Sequence, residues 1–166
     1  METSKVVVAT ELLDRALRLY FEGGSDFAAL HLAGAAEELL GNFAKRPRFR
    51  LDDGSTWTTG TGLDSYVEAV QALEDPPTDS DPSDRRWAVD RLNEPRNATK
   101  HSGSADVVTF DPRLAAYQMI DRAVISFYAA LLHPEFVGEL FETANIRRFG
   151  DDPRASPHEP DSPPRL

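Results

Sequence analysis

Cysteine is absent from this chain of 166 residues, positive charge is scarce, and no apolar run is long. Without cysteine there is no disulfide framework, no thiolate nucleophile and no Cys-ligated zinc. Eighteen basic residues face twenty-eight acidic ones, leaving a net charge of -10. The overall field of such a molecule does not draw it onto nucleic acid or an anionic membrane; only a local basic patch does that. The longest charge-free apolar stretch, Ala123 to Leu132, is about half of a membrane span. Near the N-terminus Lys5 is followed only by Val6 to Ala9 before Glu11, too little for the apolar region of a signal peptide. The expectation is a soluble, cytoplasmic chain with no membrane partner. The histidines at 31, 101, 133 and 158 lack metal-ligand spacing, and there is neither a phosphate-cradling glycine loop nor a serine nucleophile elbow. No metal and no cofactor are expected.

What the chain does have is helical periodicity. Leu12, Leu13, Ala16, Leu17 and Tyr20 recur at three- and four-residue steps, predicting a helix over about 6–22 that stops at Gly23-Gly24. A second helix is expected from the capping pair Ser25-Asp26 to about Ala44, with Ala28, Leu32, Ala35, Ala36, Leu39 and Phe43 as its apolar stripe. Gly34 and Gly41 on another face weaken that helix, and the close approach of a neighbour is a reason for them. Asp53-Gly54 is a weak hairpin signal within an irregular stretch, 45–62. Thr61 and Asp64 stand in capping-box spacing before a short helix, 63–73. After the polar loop that follows, a fourth helix is expected to start near Pro82-Ser83 and to bend or restart near Asn93, because Pro95 cannot donate to the Arg91 carbonyl. Asp111-Pro112 opens a long helix to about Leu132, whose apolar face reads as Leu114, Tyr117, Ile120, Val124, Phe127, Tyr128 and Leu131. A final short helix is expected over 135–149, and the proline-rich acidic tail 150–166 reads as disordered. The pattern predicts an all-α bundle of about five helices with long loops, in one domain over residues 1–149.

Charge is unevenly distributed. Residues 51–84 hold nine acids and no base, whereas residues 85–101 hold five bases (Arg85, Arg86, Arg91, Arg96, Lys100) against two acids. A second cluster, Lys45-Arg46-Pro47-Arg48-Phe49-Arg50, interleaves cations with an aromatic ring. Arg48 and Arg50 there, with Arg91 and Lys100, are the candidate phosphate contacts, and Phe49 can stack on a base. The plainer readings are a salt-bridged helix face for 85–101 and a helix C-terminus complementing its dipole for 45–50.

The segment Arg96-Asn97-Ala98-Thr99-Lys100-His101 carries the sharpest chemistry. Asn97 and His101 are four apart and share a helix face, so Asn97 can orient the imidazole. Arg96, five residues before His101, lies roughly 140° around an ideal helix from it. Histidine transfers protons near neutral pH, and arginine stabilises a phosphoryl transition state without titrating. Together they suit RNA transesterification, in which a 2′-OH attacks the adjacent phosphate with no metal. The structural alternative is a helix-terminal histidine favoured by the dipole, with Arg96 paired to Glu94 or a nearby acid. His31 reads as a packing partner, and the adjacent Glu37 and Glu38 point about 100° apart, a poor catalytic carboxylate pair.

This segment resembles the hallmark of the HEPN superfamily, in which an arginine and a polar residue precede a histidine across a short variable spacer. Arg96, Asn97 and His101 fill those places, and the flanking helices extend the resemblance to about residues 6–133. The resemblance implies a helical bundle, frequently homodimeric with paired Arg and His residues across a two-fold cleft. It implies a metal-independent endoribonuclease, often a toxin or defence effector with an antitoxin or regulatory partner, or else an inactive relative binding a nucleotide, RNA or protein. On that reading Arg96, Asn97 and His101 are catalytic and RNA is the partner, and the acidic loop 74–84 is expected to block the cleft or mimic RNA until a partner removes it.

Overall fold

Local capping sets the helix ends. The computed structural model describes residues 3–46, 49–50, 52, 54–77, 81, 84–100 and 107–131. Helix α1 (Lys5–Phe21) begins where the Ser4 hydroxyl accepts the Val6 N–H. It ends where Gly23 adopts φ +84° and the Gly24 N–H returns to the Leu19 carbonyl at 2.7 Å. Helix α2 (Asp26–Ala44) is capped by Ser25, which accepts the Ala28 N–H. The Asp53-Gly54 signal corresponds to a minimal antiparallel hairpin of β1 (Phe49–Arg50) and β2 (Thr56–Trp57), with Phe49 opposite Trp57. Helix α3 (Gly62–Leu73) has the full capping box: Thr61 N–H donates to Asp64 at 2.9 Å, and Asp64 N–H donates to the Thr61 hydroxyl. Helix α4 spans Arg85–Lys100. In α5 (Pro112–Leu131) the Asp111 carboxylate accepts the N–H groups of Arg113 and Leu114. The fold is all-α, and among the described residues no helix is long and apolar enough to cross a membrane.

Helices α1, α2 and α5 share the core, where Leu13, Leu17, Leu30, Leu40, Ile120 and Phe127 are buried. Helices α3 and α4 lie against α5, and α4 also meets α2. Residue 101, the segment 135–149 and the tail 150–166 lie outside the described residues, as does Arg48.

Four expectations are corrected. Helix α4 starts at Arg85 rather than near Pro82, because Asp84 is the residue whose carboxylate accepts a first-turn N–H, that of Arg86 at 2.8 Å. It continues through Pro95 and does not restart near Asn93. The Arg122 guanidinium donates to the Leu92 carbonyl at 3.2 Å, and the Thr99 hydroxyl backs onto the Pro95 carbonyl at 3.1 Å. Side-chain donors thus engage the backbone on both sides of the turn in which proline removes a hydrogen bond.

The buried arc of α2 is rotated from the expected stripe. Ala36 and Phe43 are buried as expected, but the rest of the arc is Ala29, Leu30, Ala33, Gly34, Glu37, Leu40, Gly41 and Ala44, while Leu32 and Leu39 sit at its edge. Hydropathy assigns glutamate to the solvent side, and here Glu37 faces Arg122 of α5, while Gly34 meets Arg96 of α4 and Gly41 meets Thr61. In α5, likewise, Leu114, Tyr117 and Tyr128 are exposed. Ile120, Val124 and Phe127 are buried as expected, and the rest of the buried face includes Ala115, Ala116, Met119, Ala123 and Ala130. The alanines let α2 approach α5 closely between these larger groups, and Leu114, Tyr117 and Tyr128 are left on the flanks.

Candidate functional site

Arg96 emerges where α4 crosses α2. His31, Gly34 and Glu38 succeed one another along one face of α2 at three- and four-residue steps. Arg96 lies across Gly34: a Cβ at that position would stand 2.7 Å from Arg96 Nε. This is the close approach that the glycine foretold. The guanidinium continues outward to Glu38, Nη2 to Oε2 3.3 Å, with only 16% of the Arg96 side chain accessible. The Arg96 Nε is buried and has no partner among the described residues. Glu94, the acid nearest in sequence, instead takes Arg91 at 3.0 Å.

One turn before Gly34, His31 Nε2 meets the Thr99 hydroxyl at 2.9 Å. Burial, and then the positive charges of Arg96 and Lys100, hold the His31 imidazole below its ordinary value. Asn97 and Lys100 are exposed on α4. Arg96, Lys100, Thr99 and His31 therefore converge at one α2–α4 seam, and His101 is the next residue in the chain.

Arg91 turns the other way. It reaches Glu74, the residue that follows α3, at 3.7 Å as well as Glu94. It borders a cleft of about 380 Å³ between α3, α4 and α5, floored by Val70, Leu73, Leu92, Pro95 and Leu114. Arg91 and Arg96 share no partner among the described residues, so a candidate phosphate contact and the candidate catalytic arginine stand on different sides of α4. The first acid of the 74–84 loop, Glu74, is the one that occupies Arg91. Of the second basic cluster, Arg50 lies in β1 opposite Thr56, Lys45 caps α2, and Arg46 stacks over Phe43 at 4.4 Å.

Beneath the seam is a feature that sequence reading missed. Arg122, only 2% exposed, donates to Glu37 at 3.4 Å and to the Asn93 side-chain oxygen at 3.1 Å. Burial pushes the Glu37 carboxyl up and the Arg122 guanidinium down, each against the attraction of the other. Glu37 and Glu38 thus diverge as their adjacency requires, one inward to Arg122 and one outward to Arg96. A charge at the register of Ala115, Met119 and Ser126, which all face the core of α5, was the available signal.

The Arg96 placement carries a prediction. Gly34→Ala costs stability by less than about 1 kcal/mol, because the displaced atoms are the end of a flexible side chain and alanine favours a helix by a similar amount. It nonetheless evicts the guanidinium, so its functional defect should match that of Arg96→Ala while thermal unfolding monitored by circular dichroism barely moves.

No family model matches the chain, and neither a curated protein nor a solved structure matches it.

Proposed function

We propose that the protein is a metal-independent endoribonuclease of HEPN type, cleaving RNA by attack of the 2′-OH on the adjacent phosphate. The observation that carries this reading is the setting of Arg96: a cation fixed over Gly34, beside Lys100 and His31, on the helix whose last residue, Lys100, precedes His101 in sequence. On this reading Arg96 stabilises charge on the phosphorane, His101 transfers the proton, Asn97 orients His101 and Lys100 holds phosphate. The reading brings with it a homodimer, and a toxin or defence role restrained by an antitoxin or regulatory partner.

The Arg96–Glu38 pair favours the second reading, an inactive dimeric module that binds a nucleotide, RNA or protein. A pair this exposed on its acidic side contributes about 0–1 kcal/mol, so it does not commit the guanidinium to a structural task, and a phosphate oxygen competes with it readily. The test is cleavage of end-labelled RNAs by purified protein in EDTA. Wild type should cleave, and both Arg96→Ala and His101→Ala should lose about 10²-fold or more, the usual range for a catalytic proton-transfer or charge-stabilising group. No cleavage by folded wild type favours the binding module, and equal cleavage by all three takes Arg96 and His101 out of the chemistry.

A further inference from the structure

The reaction proposed above moves two protons, one off the 2′-OH and one onto the leaving 5′-oxygen, and the motif supplies one histidine from each chain of the proposed dimer. The α2–α4 seam holds another. His31 is one turn from the glycine that Arg96 crosses, and its Nε2 is fixed by Thr99, three residues beyond Arg96. The single Thr99 hydroxyl proton is directed at the Pro95 and Arg96 carbonyls, each 3.1 Å away. With that proton given to a carbonyl, the hydroxyl is an acceptor toward His31, and the tautomer this pairing calls for has the hydrogen on Nε2 and the lone pair on Nδ1. Among the described residues Nδ1 has no partner.

We propose that His31 is the general base of the site, taking the 2′-OH proton on Nδ1 while Arg96 and Lys100 hold the phosphate. The inference rests on the endoribonuclease reading. In the step it describes, the 2′-O–H bond breaks as the 2′-O–P bond forms, and the proton passes to His31. The P–O5′ bond then breaks and protonated His101 gives its proton to O5′, leaving a 2′,3′-cyclic phosphate and a 5′-hydroxyl. The charged groups facing His31 are Arg96 and Lys100 of α4; Glu38, two turns along α2, is occupied by Arg96. Burial, and then those two cations, lower the His31 pKa and so favour the neutral imidazole, the form that accepts a proton.

The experiment compares pH–rate profiles of wild type and His31→Gln, whose amide retains a donor toward Thr99. His31→Gln should lose about 10²-fold in kcat with KM within threefold, and its profile should lose the acidic limb. A second measurement uses the unaltered protein: the imidazole resonances are followed by NMR during titration with inorganic phosphate and with uridine 3′-monophosphate. The His31 signal should move, and its titration midpoint should rise as the anion offsets the two cations. Wild-type kcat and an unchanged profile in His31→Gln overturn this assignment alone, as does a His31 signal indifferent to both anions. No cleavage by wild type overturns the parent reading and the base role with it.

Discussion

Gly62→Ala should lower stability by about 3 kcal/mol, at the upper end of overpacking costs, and lower the melting temperature by about 10 °C. Gly62 is the first residue of α3, and a Cβ there would overlap the backbone carbonyl, carbonyl carbon and Cα of Arg122. None of these is the mobile end of a side chain, so relief requires α3 to lift from α5. Lifting breaks the hydrogen bond from the Gly62 N–H to the Ser126 hydroxyl, 2.9 Å and buried, and withdraws Val67 from the interior. It also loosens the Tyr66 hydroxyl from the Asp121 carboxylate, 2.8 Å away. Ser126→Ala is the control: it removes the acceptor without the clash and should cost about 1 kcal/mol. Urea unfolding followed by circular dichroism separates the two. Equal midpoints for Gly62→Ala and wild type would contradict the close seating of α3.

Arg122→Ala should cost about 3–5 kcal/mol, the range for removing one partner of a buried ion pair. The loss has three parts: Glu37 is left charged in the interior, the Leu92 carbonyl loses its side-chain donor beside Pro95, and a cavity opens in α5. The double variant Glu37→Leu with Arg122→Met should recover much of it, because a buried pair replaced by apolar groups of similar volume is often neutral. The pH dependence follows from the sign of the Glu37 shift. Burial raises its folded pKa above the unfolded value, so the native state binds the proton more tightly. The contribution of Glu37 is therefore full below the ordinary carboxylate pKa and is lost as pH rises through the folded value. Without Arg122 that folded value climbs further, and the deficit of Arg122→Ala should shrink between pH 7 and about pH 5. A deficit independent of pH would show that the carboxylate is not left stranded.

Helix ends were legible because capping is local. Ser25, Thr61 with Asp64, and Asp111 act within three residues of themselves, and each functions as its sequence context indicates. Buried faces were less legible because partners choose them. On α2, Gly34 and Glu37 are buried because two arginines from other helices require space and countercharge there. On α5, alanine rather than the larger Leu114, Tyr117 and Tyr128 faces the core. Proline 95 was overread for a related reason: the donors that steady its turn come from Arg122, on α5, and from Thr99, one turn on in α4. Within the candidate site, sequence singled out Arg96 and the glycine beneath it. The contact between His31 and Thr99 joins residues 68 positions apart, and no local pattern announces it.

The central claim, a nuclease built around Arg96 and His101, is tested most directly by the chemical nature of the cut ends. RNA digested in EDTA by the wild-type protein should carry 2′,3′-cyclic phosphate and 5′-hydroxyl termini, and Arg96→Ala should yield neither. Termini bearing 3′-hydroxyl and 5′-phosphate, or cyclic-phosphate ends appearing as fast with Arg96→Ala as with wild type, would contradict it.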